Sequence, residues 1–222
     1  MIIRFPKPKK ETLFLDHALY IIIGLVAFIF LAYFFFDIPV AQYFKVNSKA
    51  TEALAQKWTD LIAPQYHYLI WPVLYFCFKY GIKNEKWAQR FLIATFSIIF
   101  AIVATEILKM LTGRARPWLL FSSNLYGFFF FKTSLDYTSF PSGHSSNIGA
   151  LCGAFACFYP RFSIPLALVA FALAFTRIIL GMHYLSDAVT GVIIGLIISQ
   201  WVYQVMTVKK TGEKWKTLFK MK

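Results

Sequence analysis

The sequence predicts an all-α fold, a bundle of six transmembrane helices forming one membrane domain over residues 1–222. Three observations carry this. Apolar residues make up 59% of the chain and aromatic residues 19%. They gather into six runs, at about 17–36, 66–80, 91–111, 143–159, 163–181 and 184–207, and roughly 17–25 apolar residues are what a helix needs to cross a hydrocarbon core. With the N-terminus placed in the cytoplasm, the alternation of the runs puts 15 of the 23 basic residues on the cytoplasmic side, the asymmetry that orients helical membrane proteins.

The first run follows Arg4, Lys7, Lys9 and Lys10 and ends in Tyr33-Phe34-Phe35-Phe36 with no small-residue cleavage site behind it. That predicts a retained span, not a removed signal peptide. Residues 37–65 mix Val40, Tyr43, Phe44, Leu54, Trp58 and Leu61 with polar groups, which predicts an outer-face segment that is either an interfacial amphipathic helix around 47–62 or a loop. The second and fourth runs are the shortest. Between the third and fourth lies the other outer-face segment, 112–140, whose Phe- and Tyr-rich part from 118 suits a lip at the interface. Lys79, Lys83, Lys86, Arg90 and Arg161 fall on the cytoplasmic side, as does the tail from Lys209 to Lys222, so both termini are predicted to be cytoplasmic. The formal net charge of +13 is then explained by anchors beside anionic lipid and calls for no nucleic acid. Cys77, Cys152 and Cys157 all lie inside predicted spans, which argues against a disulfide framework. No obligate protein partner is implied. His17 and His67 have no partner pattern and read as interfacial.

Three blocks carry chemistry. Lys109-Met110-Leu111-Thr112-Gly113-Arg114-Ala115-Arg116-Pro117 closes the third run, Phe140-Pro141-Ser142-Gly143-His144-Ser145 opens the fourth, and Thr176-Arg177 through His183 to Asp187 joins the fifth to the sixth. Alternation of the spans brings Lys109, Arg116, His144, Arg177, His183 and Asp187 to one membrane face. Lysine and arginine at the ends of apolar helices want an anion, and a phosphate satisfies them. Arg116 offers a planar fork for two phosphate oxygens, whereas Lys109 acts as a point charge. Ser142 is a good N-cap after Pro141, and the helix start behind it is suited to an oxyanion. His183 and Asp187 are one helical turn apart, so the carboxylate can accept from one imidazole nitrogen and leave the other as nucleophile or base. Glu106, three residues before Lys109, predicts a local ion pair, and Arg114 adds a cation beside Arg116.

These blocks, in this order and spacing, resemble the signature of the type 2 phosphatidic acid phosphatase (PAP2) superfamily over residues 109–187. The resemblance implies a six-helix membrane bundle that removes phosphate from a membrane lipid at the outer face. It implies that His183 attacks phosphorus and carries it covalently, that Asp187 orients His183, and that His144 protonates the departing lipid oxygen and then activates water. Lys109, Arg116, Ser142, Gly143 and Arg177 are implied to hold the phosphoryl oxygens. One residue departs from the pattern: Thr176 stands where a serine is usual, and it keeps the hydroxyl. No metal or other cofactor is implied, since Glu106, Asp136 and Asp187 are scattered and form no ligand cluster. In a Gram-negative bacterium the protein would sit in the inner membrane with its site facing the periplasm. Substrates implied by relatives are phosphatidylglycerophosphate, phosphatidic acid, undecaprenyl pyrophosphate and lipid A phosphates. A phosphotransferase on the same site, and a transporter or scramblase using the cations to bind headgroups, are the alternatives.

Overall fold

The computed structural model describes residues 13–61 and 63–208. The basic groups at Arg4 to Lys10 and Lys209 to Lys222, and the side chain of His17, lie outside the described residues. Helix α1 (Leu13–Leu31) does not stop at 36: it runs through a π-helical turn, Ala32–Phe36, into α2 (Asp37–Asn47). Proline has no N–H to give and crowds the carbonyl four residues back, here Phe35, so the wider π turn sits where Pro39 disturbs the ladder. A 3₁₀ turn, Ser48–Ala50, leads to α3 (Glu52–Leu61), a helix where the sequence left open an amphipathic helix around 47–62 or a loop. It buries Ala55 and Thr59, one turn apart, and both α2 and α3 pack against the later helix α8 (Ser163–Ile179).

Helix α4 (Pro64–Phe76) continues through a second π turn, Cys77–Gly81, downstream of Pro72. Asn84 caps α5 (Glu85–Thr112), accepting from Trp87 N at 3.3 Å, and Gly113 ends it in the left-handed region with φ 55°. A Cβ on Gly113 would lie 3.0 Å from the Phe129 backbone, so the turn that sends the chain into the site requires glycine. After the short α6 (Pro117–Ser123) come α7 (Gly143–Phe158), α8 and α9 (Leu185–Val208).

Among the described residues, four segments are long and apolar enough to cross a membrane: Ile23–Ala50, Glu85–Thr112, Pro160–Ile179 and Leu185–Thr207. Their outer faces expose Phe34, Phe35, Val103, Ile107, Ile164 and Leu168, as a lipid-facing surface does. The protein is therefore an integral membrane protein. Helices α4 and α7, the two shortest predicted runs, are not among those four. For α7 the physical reason is its surroundings. It packs on α5, α8 and α9 and is buried without interruption from Ser145 to Ala154, and a helix that meets other helices instead of lipid is selected for small residues. A Cβ on Gly149 would come 2.4 Å from Val192 O, and one on Gly195 would come 2.3 Å from Ser146 O. Ile93, Ile98, Ile148, Leu151, Ile178 and Val192 fill the core around this contact, and Thr105 Oγ1, 2.8 Å from Ser146 Oγ, ties α5 to α7. Gly195→Ala is expected to lower the unfolding temperature in detergent, since overpacking against backbone costs about 1–3 kcal/mol; an unchanged melting curve would show that the two helices part freely.

Candidate active site

Where α5 ends and α7 and α9 begin, a cavity of about 220 Å³ opens between Lys109, Arg116, Gly143, His144, Arg177 and His183, with Tyr68, Ile102 and Glu106 completing its wall. Each arrives by a local device. Lys109 stands in the last turn of α5, and Arg116 precedes Pro117 at the start of α6. Arg177 lies in the last turn of α8, and His183 on the turn before α9. Gly143 leaves space for the ammonium: a Cβ there would lie 3.3 Å from Lys109 Nζ.

The cavity is strongly cationic and its donors are open. Arg116 and Arg177 are each 8% exposed, yet the Nε of both has no hydrogen-bond partner among the described residues. A buried guanidinium N–H left unpaired is costly, and an anion in the cavity would relieve two of them at once. Lys109 Nζ meets Glu106 Oε1 at 2.6 Å, the local ion pair expected from their spacing.

Ser142 is the N-cap of α7, but it does not line the cavity. Its Oγ accepts from Ser145 N at 3.4 Å and from Ser145 Oγ at 2.9 Å, so the hydroxyl is turned onto its own helix. Its N–H donates to Asp187 O at 3.1 Å, joining α7 to α9.

His183 is oriented differently from the expectation that Asp187 would accept its proton. Nδ1 lies 2.8 Å from Ser139 O and 3.7 Å from Asp187 Oδ2. A carbonyl only accepts, so Nδ1 carries the proton and Nε2 keeps the lone pair. Burial, with Arg116, Arg177 and Lys109 adding to it, holds the His183 pKa well below its ordinary range against the opposing Ser139 bond, and the imidazole is neutral. Asp187 makes no hydrogen bond to His183, because its oxygens are turned to other donors. Oδ2 accepts from Ser139 Oγ at 2.6 Å and from Tyr184 N at 2.8 Å, and Oδ1 accepts from Arg114 Nη1.

Arg114 is not a second cavity cation. It is fully buried, with Nη2 on Asp37 Oδ2 at 2.6 Å and Nη1 on both Asp187 and Ser186 Oγ. Rings of Tyr33, Tyr126, Phe128, Phe140 and Tyr184 enclose its guanidinium at 4.6–5.9 Å. Burial alone would lower its pKa; Asp187 and Asp37 more than offset that and hold the charge. Residues 118–140 therefore do more than form a rim, because Tyr126, Phe128 and Ser139 belong to this inner cage. Asp37, Ser139 and Ser186 escaped the sequence reading. The signal for Asp37 was present, an acid placed directly after Phe34-Phe35-Phe36, where ionisable groups are costly and kept for a purpose. None existed for Ser139, whose contribution to His183 is a backbone carbonyl.

Thr176 also faces away from the cavity. Its Oγ1 lies 2.8 Å from Thr59 Oγ1 and donates to Leu173 O at 2.7 Å, so its hydroxyl receives α3. Thr176→Val should thus cost about 1 kcal/mol of stability while leaving turnover nearly intact; a folded variant with greatly reduced turnover would place the hydroxyl in the chemistry instead.

A membrane-embedded bundle with three cations and two imidazoles around one cavity defines an anion-handling membrane protein. The profile of the PAP2 superfamily matches residues 90–210, and the chain belongs to that superfamily. It is 31% identical over 189 residues to a lipid A 1-phosphatase of Rhizobium etli, covering 80% of this chain and 78% of that protein. It is 36% identical over 100 residues to a lipid A 1-phosphatase of Rhizobium johnstonii, covering 45% and 41%. Among solved structures, Aquifex aeolicus LpxE superposes with a TM-score of 0.53 at 19% identity, over 77% of this chain and 96% of that one. A transmembrane PAP2-type phosphatidylglycerolphosphate phosphatase of Bacillus subtilis superposes with a TM-score of 0.56 at 16% identity, over 88% and 97%. These two likenesses show the fold.

Proposed function

We propose that this protein is a phosphatase that hydrolyses the phosphate ester of a membrane lipid in the cavity between α5, α7 and α9. The observation that carries it is the convergence on one cavity of Lys109, Arg116 and Arg177 with the neutral His183. His183 Nε2 attacks phosphorus while Nδ1–H stays on Ser139 O. The bond to the lipid oxygen breaks, and His144, which takes up a proton as the bound phosphate offsets the surrounding cations, delivers the proton that oxygen needs. The phosphorylated ring is a cation, and Asp187, 3.7 Å from Nδ1, is the nearest negative charge. Water, deprotonated by His144, then attacks phosphorus, and phosphate leaves with His183 restored. Lys109, Arg116 and Arg177 hold the phosphoryl oxygens. Ser142 and Gly143 serve through the start of α7, one by capping it and the other by leaving the room its lack of Cβ provides.

In this reading residues 1–222 form one membrane domain. Helix α4 with its π turn and the protein-encased α7 complete six crossings, both termini are cytoplasmic, and the cavity faces the periplasm from the inner membrane. The relatives named lipid A 1-phosphatase make the 1-phosphate of lipid A the first substrate to try.

The test is phosphate release by purified protein from a panel of lipid phosphates: lipid A, phosphatidic acid, phosphatidylglycerophosphate and undecaprenyl pyrophosphate. Release without an added acceptor supports hydrolysis, and release from none of them would sink the proposal. Because three side-chain cations already meet the phosphate, turnover is expected to persist in excess chelator, and vanadate, a mimic of phosphorus in transfer, should compete. A requirement for added divalent metal would contradict the scheme.

A further inference from the structure

Asp37, Arg114 and Asp187 are each 0% exposed, and Arg114 joins the two carboxylates through Nη2 and Nη1. Ser186 fastens the cluster: its N–H donates to Asp37 Oδ1 at 2.9 Å, and its hydroxyl accepts from Arg114 Nη1 at 2.6 Å and donates to Asp37 Oδ2 at 2.6 Å. With both acids ionised, one guanidinium between two carboxylates leaves one negative charge, enclosed by aromatic rings. A structural ion pair has no need of the second acid. Arg114 and Asp187 alone would be neutral, and adding another fully desolvated carboxylate is unfavourable unless a positive charge arises nearby to meet it.

Such a charge arises in the proposed reaction, on whose reading of His183 this inference rests. The groups facing His183 are Lys109 from α5, Arg116 before α6, His144 from α7, Arg177 from α8 and Asp187 from α9. Every fixed cation among them disfavours a cationic ring; Glu106 of the same cavity is already paired with Lys109 at 2.6 Å, and Asp187, 3.7 Å from Nδ1, is the acid beside the ring. Its charge would be cancelled by Arg114 if nothing occupied the other side of the guanidinium.

We infer that Asp37 is a positioning residue for the reaction: by binding the far side of Arg114 it leaves Asp187 an uncancelled negative charge for His183 as that ring becomes a phosphorylated cation. Asp37 acts through Arg114 and Asp187 and does not touch substrate. It also makes the site depend on the α1–α2 junction, which lies outside the three sequence blocks.

The test uses the full chain in detergent, with an aryl phosphate monoester and whichever lipid phosphate the wild type hydrolyses. Asp37→Asn should fold, lower kcat roughly 10- to 100-fold, the size of effect seen when a group that supports a reacting residue from outside is lost, and leave KM within about twofold, because no cavity group has changed. In the Asp37→Asn/Arg114→Gln double variant both charges are gone and Asp187 again carries a net negative charge. Its kcat should recover at least about tenfold over Asp37→Asn. Wild-type kcat in Asp37→Asn, or a folded double variant no faster than Asp37→Asn, would overturn the inference; a purely structural pair predicts the latter. If Asp37→Asn does not fold, the decisive variant is Asp37→Leu/Arg114→Met, whose kcat should lie within about tenfold of wild type, and a folded but inactive protein would refute it. A wild type that releases phosphate from no substrate would overturn the proposed function itself, a result distinct from any of these.

Discussion

His183→Asn is expected to abolish turnover on every substrate, by at least about 10⁴-fold, because no covalent intermediate can form without the Nε2 lone pair. The fold should survive, since the side-chain amide can still donate to Ser139 O, which now receives Nδ1 at 2.8 Å. His144→Asn should look equally dead on a lipid, whose alkoxide leaves poorly without a proton, yet keep the first step on an aryl phosphate, whose anion leaves readily. If His144 is also the base for hydrolysis, that variant should then accumulate acid-labile phosphoenzyme. Rapid quenching after mixing with labelled aryl phosphate is expected to show label on His144→Asn and none on His183→Asn. Label on the His183 variant would move the nucleophile elsewhere.

Arg114→Met and Arg116→Met, two residues apart, should fail in opposite ways. Arg114 is the only cation between Asp37 and Asp187 among the described residues, and its loss strands two fully buried carboxylates. Removing one partner of a buried charge pair costs about 3–5 kcal/mol, enough to remove much of a typical stability of about 5–15 kcal/mol. Poor yield of folded protein and a sharply lowered unfolding temperature are expected. Arg116 is held by weaker contacts, Nη2 lying 3.3 Å from Thr138 Oγ1, and its Nε is unpaired. Its loss should leave the melting curve close to wild type and lower kcat/KM by about 10²-fold or more, the effect of losing a charge-assisted donor to the reacting group. Measuring unfolding and turnover on both proteins checks the assignment, and a reversal of the two phenotypes would show that Arg114 faces the substrate.

The resemblance puts Arg116 and not Arg114 on the phosphoryl oxygens, but where Arg114 turns could not be read from Gly113-Arg114-Ala115-Arg116. Direction is decided by the left-handed turn at Gly113 and by where Asp37 arrives, a contact between residues 77 apart in the chain. The same holds for His183. Its spacing from Asp187 permits a bond, but Ser139 O occupies Nδ1 and Arg114 competes for the acid.

What the sequence by itself determined was whatever depends on local composition and spacing: apolar runs long enough for helices, Ser142 as a cap, and the blocks from Lys109 to Asp187 that supply the cations and histidines of one cavity. Those signals act within a few residues, so they survive without knowledge of the fold. Only the tertiary structure decided that α2 continues α1, that α7 is shielded from lipid, that Thr176 receives α3, and that Asp37 shares Arg114 with Asp187. Each depends on which distant group reaches a buried donor or acceptor first, and in a site closed to water that competition is settled by packing.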